Sequence, residues 1–109
     1  MLKNRGTFKE GKPDKRGVAF HENGEVKYDG EWCNGNWSGF GSLYDENGEI
    51  FYRGTWQIGK RHGRGIEYNE YGVVEYDGEW SDDKWSGFGT QYDENGDILR
   101  RGIWKDGKL

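Results

Sequence analysis

The sequence predicts an all-β fold, an elongated single-layer antiparallel sheet in which β-hairpins stack as a meander or solenoid. Three observations predict it. Glycine followed two residues later by an aromatic residue recurs every 24 residues, from Gly6/Phe8 to Gly102/Trp104. Within each unit, apolar residues or glycine alternate with polar residues, which is the period of a half-buried strand. Helical signals are missing, because glycine interrupts every window in which an apolar period of 3.6 residues would be sought.

The first strand of each unit is predicted from this alternation. In the second unit, Val26, Tyr28, Gly30 and Trp32 fall on one face, and the charged residues fall on the other. The same parity recurs at residues 50–56 and 74–80. A short loop is expected to follow at residues 33–36, 57–60 and 81–84.

The second strand is expected to begin with Gly-x-Gly, as in Gly39–Gly41. A turn such as Asp45–Gly48 then returns the chain, with Asp at its first position and glycine where a positive φ is easiest. Glycine weakens a strand unless its missing side chain is used. We therefore expect an aromatic ring from the neighbouring strand to lie flat over the glycine backbone, where a Cβ would collide.

The whole chain, residues 1–109, is predicted to be one domain. Its units are approximately 4–27, 28–51, 52–75, 76–99 and a partial unit at 100–109. The end units are atypical, because Phe8 replaces Trp while Asn4 and Arg100 replace Tyr. Terminal units that depart from the repeat pattern are characteristic of capping repeats. They favour a complete protein over a fragment of a longer chain.

Composition excludes several classes of function. Aromatic residues make up 17% of the chain, so we expect a folded protein stabilised by aromatic–glycine packing despite a mean hydropathy of -1.19. The formal charge of -4 provides no basic footprint for nucleic acid. No apolar stretch is long enough to span a membrane. Cys33 is the one cysteine and cannot form an internal disulfide, so the protein is predicted to be soluble and cytoplasmic.

The segments Tyr28–Trp32, Asn34–Gly35 and Gly39–Gly41 resemble the signature of the MORN repeat, which is Tyr-x-Gly-x-Trp, a turn and Gly-x-Gly. The match is closest in Tyr52–Gly65, and the resemblance extends from about residue 5 to residue 108. The unit here is a residue longer than is usual in the family. The resemblance implies stacked β-hairpins and a role in binding.

No residue is predicted to be catalytic, to bind a metal or to hold a cofactor. His21 and His62 lie 41 residues apart, outside any His-x-x-His spacing, so a zinc site lacks ligands. Cys33 lies in a hairpin loop without an evident base to activate it. The Gly-x-Gly segments are not phosphate loops, because no helix follows them. Carboxylates such as Glu31 and Glu79 recur at equivalent positions, which is typical of an architectural role.

Differences between the units identify candidate binding residues. Units two and four agree at 16 of 23 positions between residues 28–50 and 76–98, and both contain Trp-Ser-Gly-Phe-Gly. Unit three has Arg-His-Gly-Arg-Gly in its place. The candidate partner face therefore consists of Trp37, Phe40, Arg61, His62, Arg64, Trp85 and Phe88.

Two interpretations of this set stay open. In one, the extra aromatics complete a second packing layer, with arginines stacked between rings. In the other, they form an aromatic–arginine stripe of the kind enriched at interface hot spots. Trp37 and Trp85 are favoured for partner contact, because a tryptophan at a hairpin tip is harder to bury than one in mid-strand.

The favoured function is a non-enzymatic protein–protein interaction module or scaffold. One alternative is a small bacterial immunity or antitoxin-type protein, since an acidic binder suits a basic toxin. Another is binding to phospholipid at a membrane surface, which the acidic charge disfavours because anionic headgroups attract clustered Lys and Arg. The expected partner is another protein, either a basic toxin or an enzyme domain. A homodimer through the open sheet ends is also left open.

Overall fold

A computed structural model describes the backbone of residues 4–9 and 12–109 and the side chains from Lys15 onward. These residues form nine strands in one antiparallel sheet, in which the strand order follows the sequence. The strands are β1 (Asn4–Lys9), β2 (Lys12–Phe20), β3 (Val26–Cys33), β4 (Asn36–Tyr44), β5 (Ile50–Gln57), β6 (Lys60–Tyr68), β7 (Val74–Ser81), β8 (Lys84–Tyr92) and β9 (Ile98–Trp104). The predicted all-β stack of hairpins is confirmed.

Two-residue turns connect the first strand to the second in units two, three and four. Asn34 and Gly35 have φ angles of 52° and 83°, and Asp82 and Asp83 have 48° and 69°. Positive φ at both central residues is typical of the type I′ turn, whose twist matches that of the flanking strands. The second strands consequently begin at residues 36, 60 and 84. The expectation that they begin at Gly-x-Gly is wrong, because the tight turn starts the pairing three residues earlier.

A bulge shifts the register within each of these hairpins. Gly30 pairs with Gly41, but Trp32 pairs with Trp37, so β4 has two more residues than β3 between the two pairs. Because this number is even, Trp37 and Gly41 point to the same face of the sheet. Gly39 lies within the bulge and has a φ of 88°.

Wider turns connect successive units, and a side-chain oxygen stabilises each of three of them. Asp45 Oδ1 accepts hydrogen bonds from the backbone N–H groups of Asn47 and Glu49, at 2.9 and 3.0 Å. Asn69 and Asp93 make the same pair of bonds in the next two units. The prediction that Asp opens this turn is therefore confirmed at both sites where the sequence places it in these units.

A row of glycines crosses the described sheet, one from each strand, between Gly6 and Gly102. The tyrosine of each complete inner unit covers one of them. A Cβ at Gly41 would collide with the ring and hydroxyl of Tyr28. The same contact joins Tyr52 to Gly65 and Tyr76 to Gly89. The predicted packing of an aromatic ring over a neighbouring glycine is confirmed.

The face that bears these tyrosines, here the inner face, contains the core. Tyr28, Tyr52 and Tyr76 are 0% exposed, and tryptophans from every second strand lie between them. The indole N–H of Trp56 donates to the Gly41 carbonyl at 3.1 Å, and Trp80 and Trp104 repeat this bond. The opposite side is the outer face.

Two of the predicted end substitutions, Asn4 and Phe8, concern side chains outside the described residues. Arg100 is exposed in β9, where the sequence predicts a degenerate unit.

Candidate functional site

A second aromatic layer covers the buried tyrosines of the inner face in units two and four. The Trp37 ring lies parallel to the Tyr28 ring, with 4.5 Å between centroids and 4° between planes. Its centroid lies 5.1 Å from that of Trp56, which it meets edge to face. Trp85 stacks on Tyr76 in the same way, at 4.4 Å and 6°. Both tryptophans are partly buried against the core, and offset stacking of this kind stabilises the fold beyond the area buried.

Arg61 takes the place of these tryptophans in unit three. Its guanidinium carbon lies 4.5 Å from the Trp80 ring centroid and 5.7 Å from that of Tyr52, which are cation–π distances. Asp83 Oδ1 accepts hydrogen bonds from the Arg61 backbone N–H at 2.8 Å and from its Nε at 3.1 Å. The Arg61 side chain is 18% exposed. Its position is fixed by the rings on one side and by the carboxylate on the other.

Glu67 completes this cluster. Its Oε2 lies 3.6 Å from Arg61 Nη1, and its Oε1 accepts a hydrogen bond from the Trp85 indole at 3.1 Å. Burial raises the pKa of the Glu67 carboxyl, and the Trp85 hydrogen bond and the Arg61 charge act in the opposite direction. Leu43 occupies the equivalent position in unit two. An arginine–glutamate pair therefore replaces a tryptophan–leucine pair on the same backbone.

The outer face contains the other aromatic candidates. Phe40 and Phe88 are 49% and 50% exposed, which is high for side chains of this size within strands. Arg64 lies on β6 between them, with a side chain that is 70% exposed. Its Nη2 is 3.2 Å from Asp77 Oδ1 on β7. These side chains present apolar and cationic groups to solvent together.

Repeated carboxylates hold the backbone that bears the phenylalanines. Glu31 Oε2 accepts a hydrogen bond from the Phe40 N–H at 2.6 Å, and Glu79 Oε2 accepts one from the Phe88 N–H at 2.8 Å. In unit three the equivalent residue is Thr55, whose hydroxyl donates to the carbonyls of the bulge. The architectural role expected for Glu31 and Glu79 has this physical basis.

The arrangement offers few groups for chemistry. Among the described residues, no cluster of three or more His, Cys, Asp or Glu side chains is placed to hold a metal ion. His62 is partly buried, and its Nδ1 has no hydrogen-bond partner within that part of the chain. His21 Nε2 lies 2.9 Å from the Tyr44 carbonyl oxygen, and Cys33 is exposed. Burial raises the pKa of Tyr76 to about 12, so its hydroxyl stays protonated at neutral pH.

The structure divides six of the seven predicted residues between two faces, and the seventh, His62, lies partly buried in the bulge of β6. Trp37, Arg61 and Trp85 lie on the inner face and pack on the tyrosines and tryptophans. Phe40, Arg64 and Phe88 lie on the outer face. The sequence interpretation did not consider the other charged residues of the outer face, although these also recur every 48 residues, as Asp29/Asp77 and Arg53/Arg101.

None of the described residues form a helix long and apolar enough to cross a membrane. A comparison with protein families matches the MORN repeat at residues 28–50, 52–69 and 76–98, which together make up more than half of the chain. A comparison with curated proteins gave no match.

Proposed function

The chain belongs to the MORN repeat family, and from that premise we propose that it is a protein-binding module that acts through its outer face. Repeats of this family are commonly interaction modules for proteins or membranes and are generally non-enzymatic. The observation that carries the proposal is the exposure of Phe40 and Phe88, at 49% and 50%, on either side of Arg64.

The chemistry of this surface suits a protein partner. Aromatic and arginine side chains are enriched at the energetic centres of protein interfaces. Four strand spacings separate β4 from β8, so the two phenylalanines lie roughly 19 Å apart, within the width of one standard interface. Partner binding would remove the exposed half of each ring from water, so each phenylalanine would contribute roughly half of the about 1.5–3 kcal/mol that complete burial provides.

The inner-face tryptophans are weaker candidates for contact with a partner. Trp37 and Trp85, which the sequence favours for partner contact, stack on Tyr28 and Tyr76. Their substitution would disturb the core as well as any contact. The outer-face phenylalanines separate the two effects, because their side chains are free of such stacking.

Charge distribution favours protein over phospholipid. The outer-face arginines alternate with acidic residues, and Arg64 pairs with Asp77 at 3.2 Å. Attraction to anionic headgroups needs several basic residues near one surface, at about 1 kcal/mol each. A mixed surface gives specific protein contacts in preference to general attraction to a membrane.

A basic protein is a second candidate partner, and the edge formed by the wide turns favours it. That edge carries an excess of acidic residues, which are Glu22, Glu25, Asp45, Glu46, Glu49, Glu70, Asp93, Glu94 and Asp97. Such a field steers a positively charged partner and weakens with salt. The predicted basic toxin or enzyme domain would bind here.

The test of the outer face is affinity capture from host lysate followed by mass spectrometry. The bait is compared with Phe40→Ser/Phe88→Ser and with a control, Ile58→Ser/Tyr71→Ser, which removes two apolar side chains that are 71% and 79% exposed in turns. We expect the wild type and the control to retain the same protein and the phenylalanine variant to lose it. Equal retention by all three folded baits would contradict an outer-face site.

The same baits distinguish the other surfaces. Flotation with anionic vesicles at low salt would indicate lipid binding in place of protein binding. Capture that survives the phenylalanine substitutions but disappears at high salt would indicate the acidic edge.

A further inference from the structure

A line of outer-face residues, here named the charge row, crosses the sheet from β3 to β9. Each residue of the row is the register partner of the next. The row consists of Asp29, Ser42, Arg53, Ile66, Asp77, Thr90 and Arg101. An acid, a small hydroxyl residue and a base thus occur twice in the same order, with Ile66 between them on β6.

The charge row is complementary to itself when it is reversed about Ile66. Reversal places Arg53 opposite Asp77 and Asp29 opposite Arg101. If the row is reversed about any other of its residues, at least one of these four charges no longer faces a charge of the opposite sign. Among the described residues, Arg53 and Arg101 make no salt bridge. Both cations are exposed and available to a partner's carboxylates.

Two copies that meet face to face about a two-fold axis along β6 are related by this reversal. The rotation turns the outer face of one copy toward the other and inverts the order of the strands. It leaves the position of each residue along its strand unchanged. We propose that the partner of the outer face is a second copy of this chain, bound about that axis. This inference rests on the proposed function, since it takes the same face and names its partner. Sheets packed in this way lie about 10 Å apart, with their strands within about 30°.

The exposed phenylalanines fit the same axis. Phe40 on β4 and Phe88 on β8 lie two strands to either side of β6. The axis therefore sets Phe40 of one copy against Phe88 of the other, and it does so twice. Aromatic pairs at an interface stabilise it beyond the apolar area that they bury. The contact covers the two side chains that a single chain leaves half exposed.

The charges also select between the two face-to-face arrangements in which a two-fold axis keeps the strands of both copies aligned. A two-fold axis across the strands would set Asp29 against Glu31 and Asp77 against Glu79, which are like charges. The axis along β6 brings the outer-face residues of β6 against their own copies, including Ile66 and the cations Lys60 and Arg64. Lys60 lies at the turn end of the strand, and the like-charged pair nearest the charge row is that of Arg64. Its charge is balanced, because Asp77 lies 3.2 Å away and Glu79 is its register partner.

The face is large enough for a stable dimer. The chain measures 43 × 26 × 15 Å, and its broad side exceeds the roughly 800 Å² that each partner contributes to a standard interface.

Sedimentation velocity on the purified chain tests the proposal. We expect a species of twice the 12.7 kDa chain mass that dissociates on dilution. Arg53→Asp places two carboxylates opposite each other in each half of the interface, and we expect it to raise the dimer dissociation constant at least about tenfold. Asp77→Arg should act in the same direction. The double variant Arg53→Asp/Asp77→Arg restores both ion pairs across the axis and should recover dimerisation.

A matched control has the same composition and net charge. In Arg53→Asp/Asp29→Arg, the new carboxylate faces Asp77 and the new guanidinium faces Arg101, so we expect no recovery. Recovery in this control, or a dimer unaffected by Arg53→Asp, would overturn the proposed axis and indicate contact elsewhere, such as the sheet ends. Circular dichroism on every variant verifies that the sheet is intact.

The outcome separates this inference from the proposed function. A wild-type chain that stays monomeric overturns the second copy as partner. If Phe40→Ser/Phe88→Ser then still abolishes capture of another protein, the protein-binding proposal stands. If the phenylalanine variant also retains everything that the wild type retains, both proposals fail.

Discussion

Units two and three have the same backbone but differ in the layer above their buried tyrosines. In unit two, Trp37 stacks on Tyr28 at 4.5 Å beside Leu43. In unit three, Arg61 and Glu67 occupy these two positions and pair at 3.6 Å. Glu67 gives the Arg61 guanidinium a second carboxylate in addition to Asp83, which a leucine at this position would not. The tyrosine, tryptophan and glycine framework therefore defines the unit, and the second layer above it varies between units. Unit four keeps the tryptophan, as Trp85, but has Gln91 where unit two has Leu43.

The largest expected effect comes from the framework that both units share. Gly65→Ala directs a Cβ into the Tyr52 ring, and we expect a loss of about 3 kcal/mol or more in unfolding free energy, with a similar loss for Gly41→Ala. Gly72→Ala is the control, because its φ is 81° but no atom lies within 4 Å. It should cost only about 1 kcal/mol in backbone strain. Chemical denaturation measures all three, and equal costs would refute the collision.

The second largest expected effect is the difference in unfolding free energy between a substitution in the inner layer and one on the outer face. Trp37→Ser removes a ring that stacks on Tyr28 and should destabilise the fold by about 2–3 kcal/mol. Phe40→Ser removes a ring that is 49% exposed and should cost less than about 1 kcal/mol. Thermal unfolding of the two variants, measured below the concentration at which any dimer forms, gives the difference. A larger cost for Phe40→Ser would mean that the outer face contributes to the core.

Conversion of unit three into unit two tests the matched pair. Arg61→Trp/Glu67→Leu replaces a partly buried ion pair with the tryptophan–leucine pair, and we expect a gain of about 1–2 kcal/mol in unfolding free energy. Arg61→Ala alone leaves Glu67 and Asp83 without their cation and should be destabilising by a similar amount. Denaturant titration compares the variants. A destabilised double variant would show that the arginine is required for packing on Trp80.

The smallest expected effect is on pH dependence and comes from Glu67. Burial raises the pKa of this carboxyl above its ordinary value of 4.5, so the folded state favours the protonated form. The stability contributed in this way is fully present below pH 4.5 and is lost as the pH rises through the folded-state pKa. Glu67→Gln should therefore be relatively more stable above that pH than below it. If the unfolding free energies of variant and wild type, measured by denaturant titration, depend on pH in the same way, Glu67 does not contribute the effect.

Much of the fold could be predicted from the sequence because each unit repeats the same local rule. Alternation in residues 26–32 defines the face of the first strand, and the Asp45–Gly48 turn fixes where the second strand ends. The start of the second strand was misplaced. Positive φ at Asp82 and Asp83 is not evident from composition, since neither residue is glycine.

The candidate site was predicted less completely. The repeat comparison identified residues that differ between units, including Phe40 and Phe88, but it grouped them with Trp37 and Trp85. Parity along β4 is preserved across the bulge at Gly39, so it already places Phe40 on the face opposite Trp37, but the repeat comparison did not use it. The burial of Trp37 depends on its stacking on Tyr28, a contact between strands.

The sequence by itself determined the 24-residue unit, the all-β stack and the tyrosine–glycine contact, because these depend on spacing along the chain and on side-chain size. Tertiary structure alone decided which side chains share a row. Asp29, Arg53 and Asp77 are far apart in sequence and become neighbours only through the strand register. Their alternation and the exposure of the phenylalanines distinguish the outer face from the core, because burial and charge pairing depend on contacts between strands.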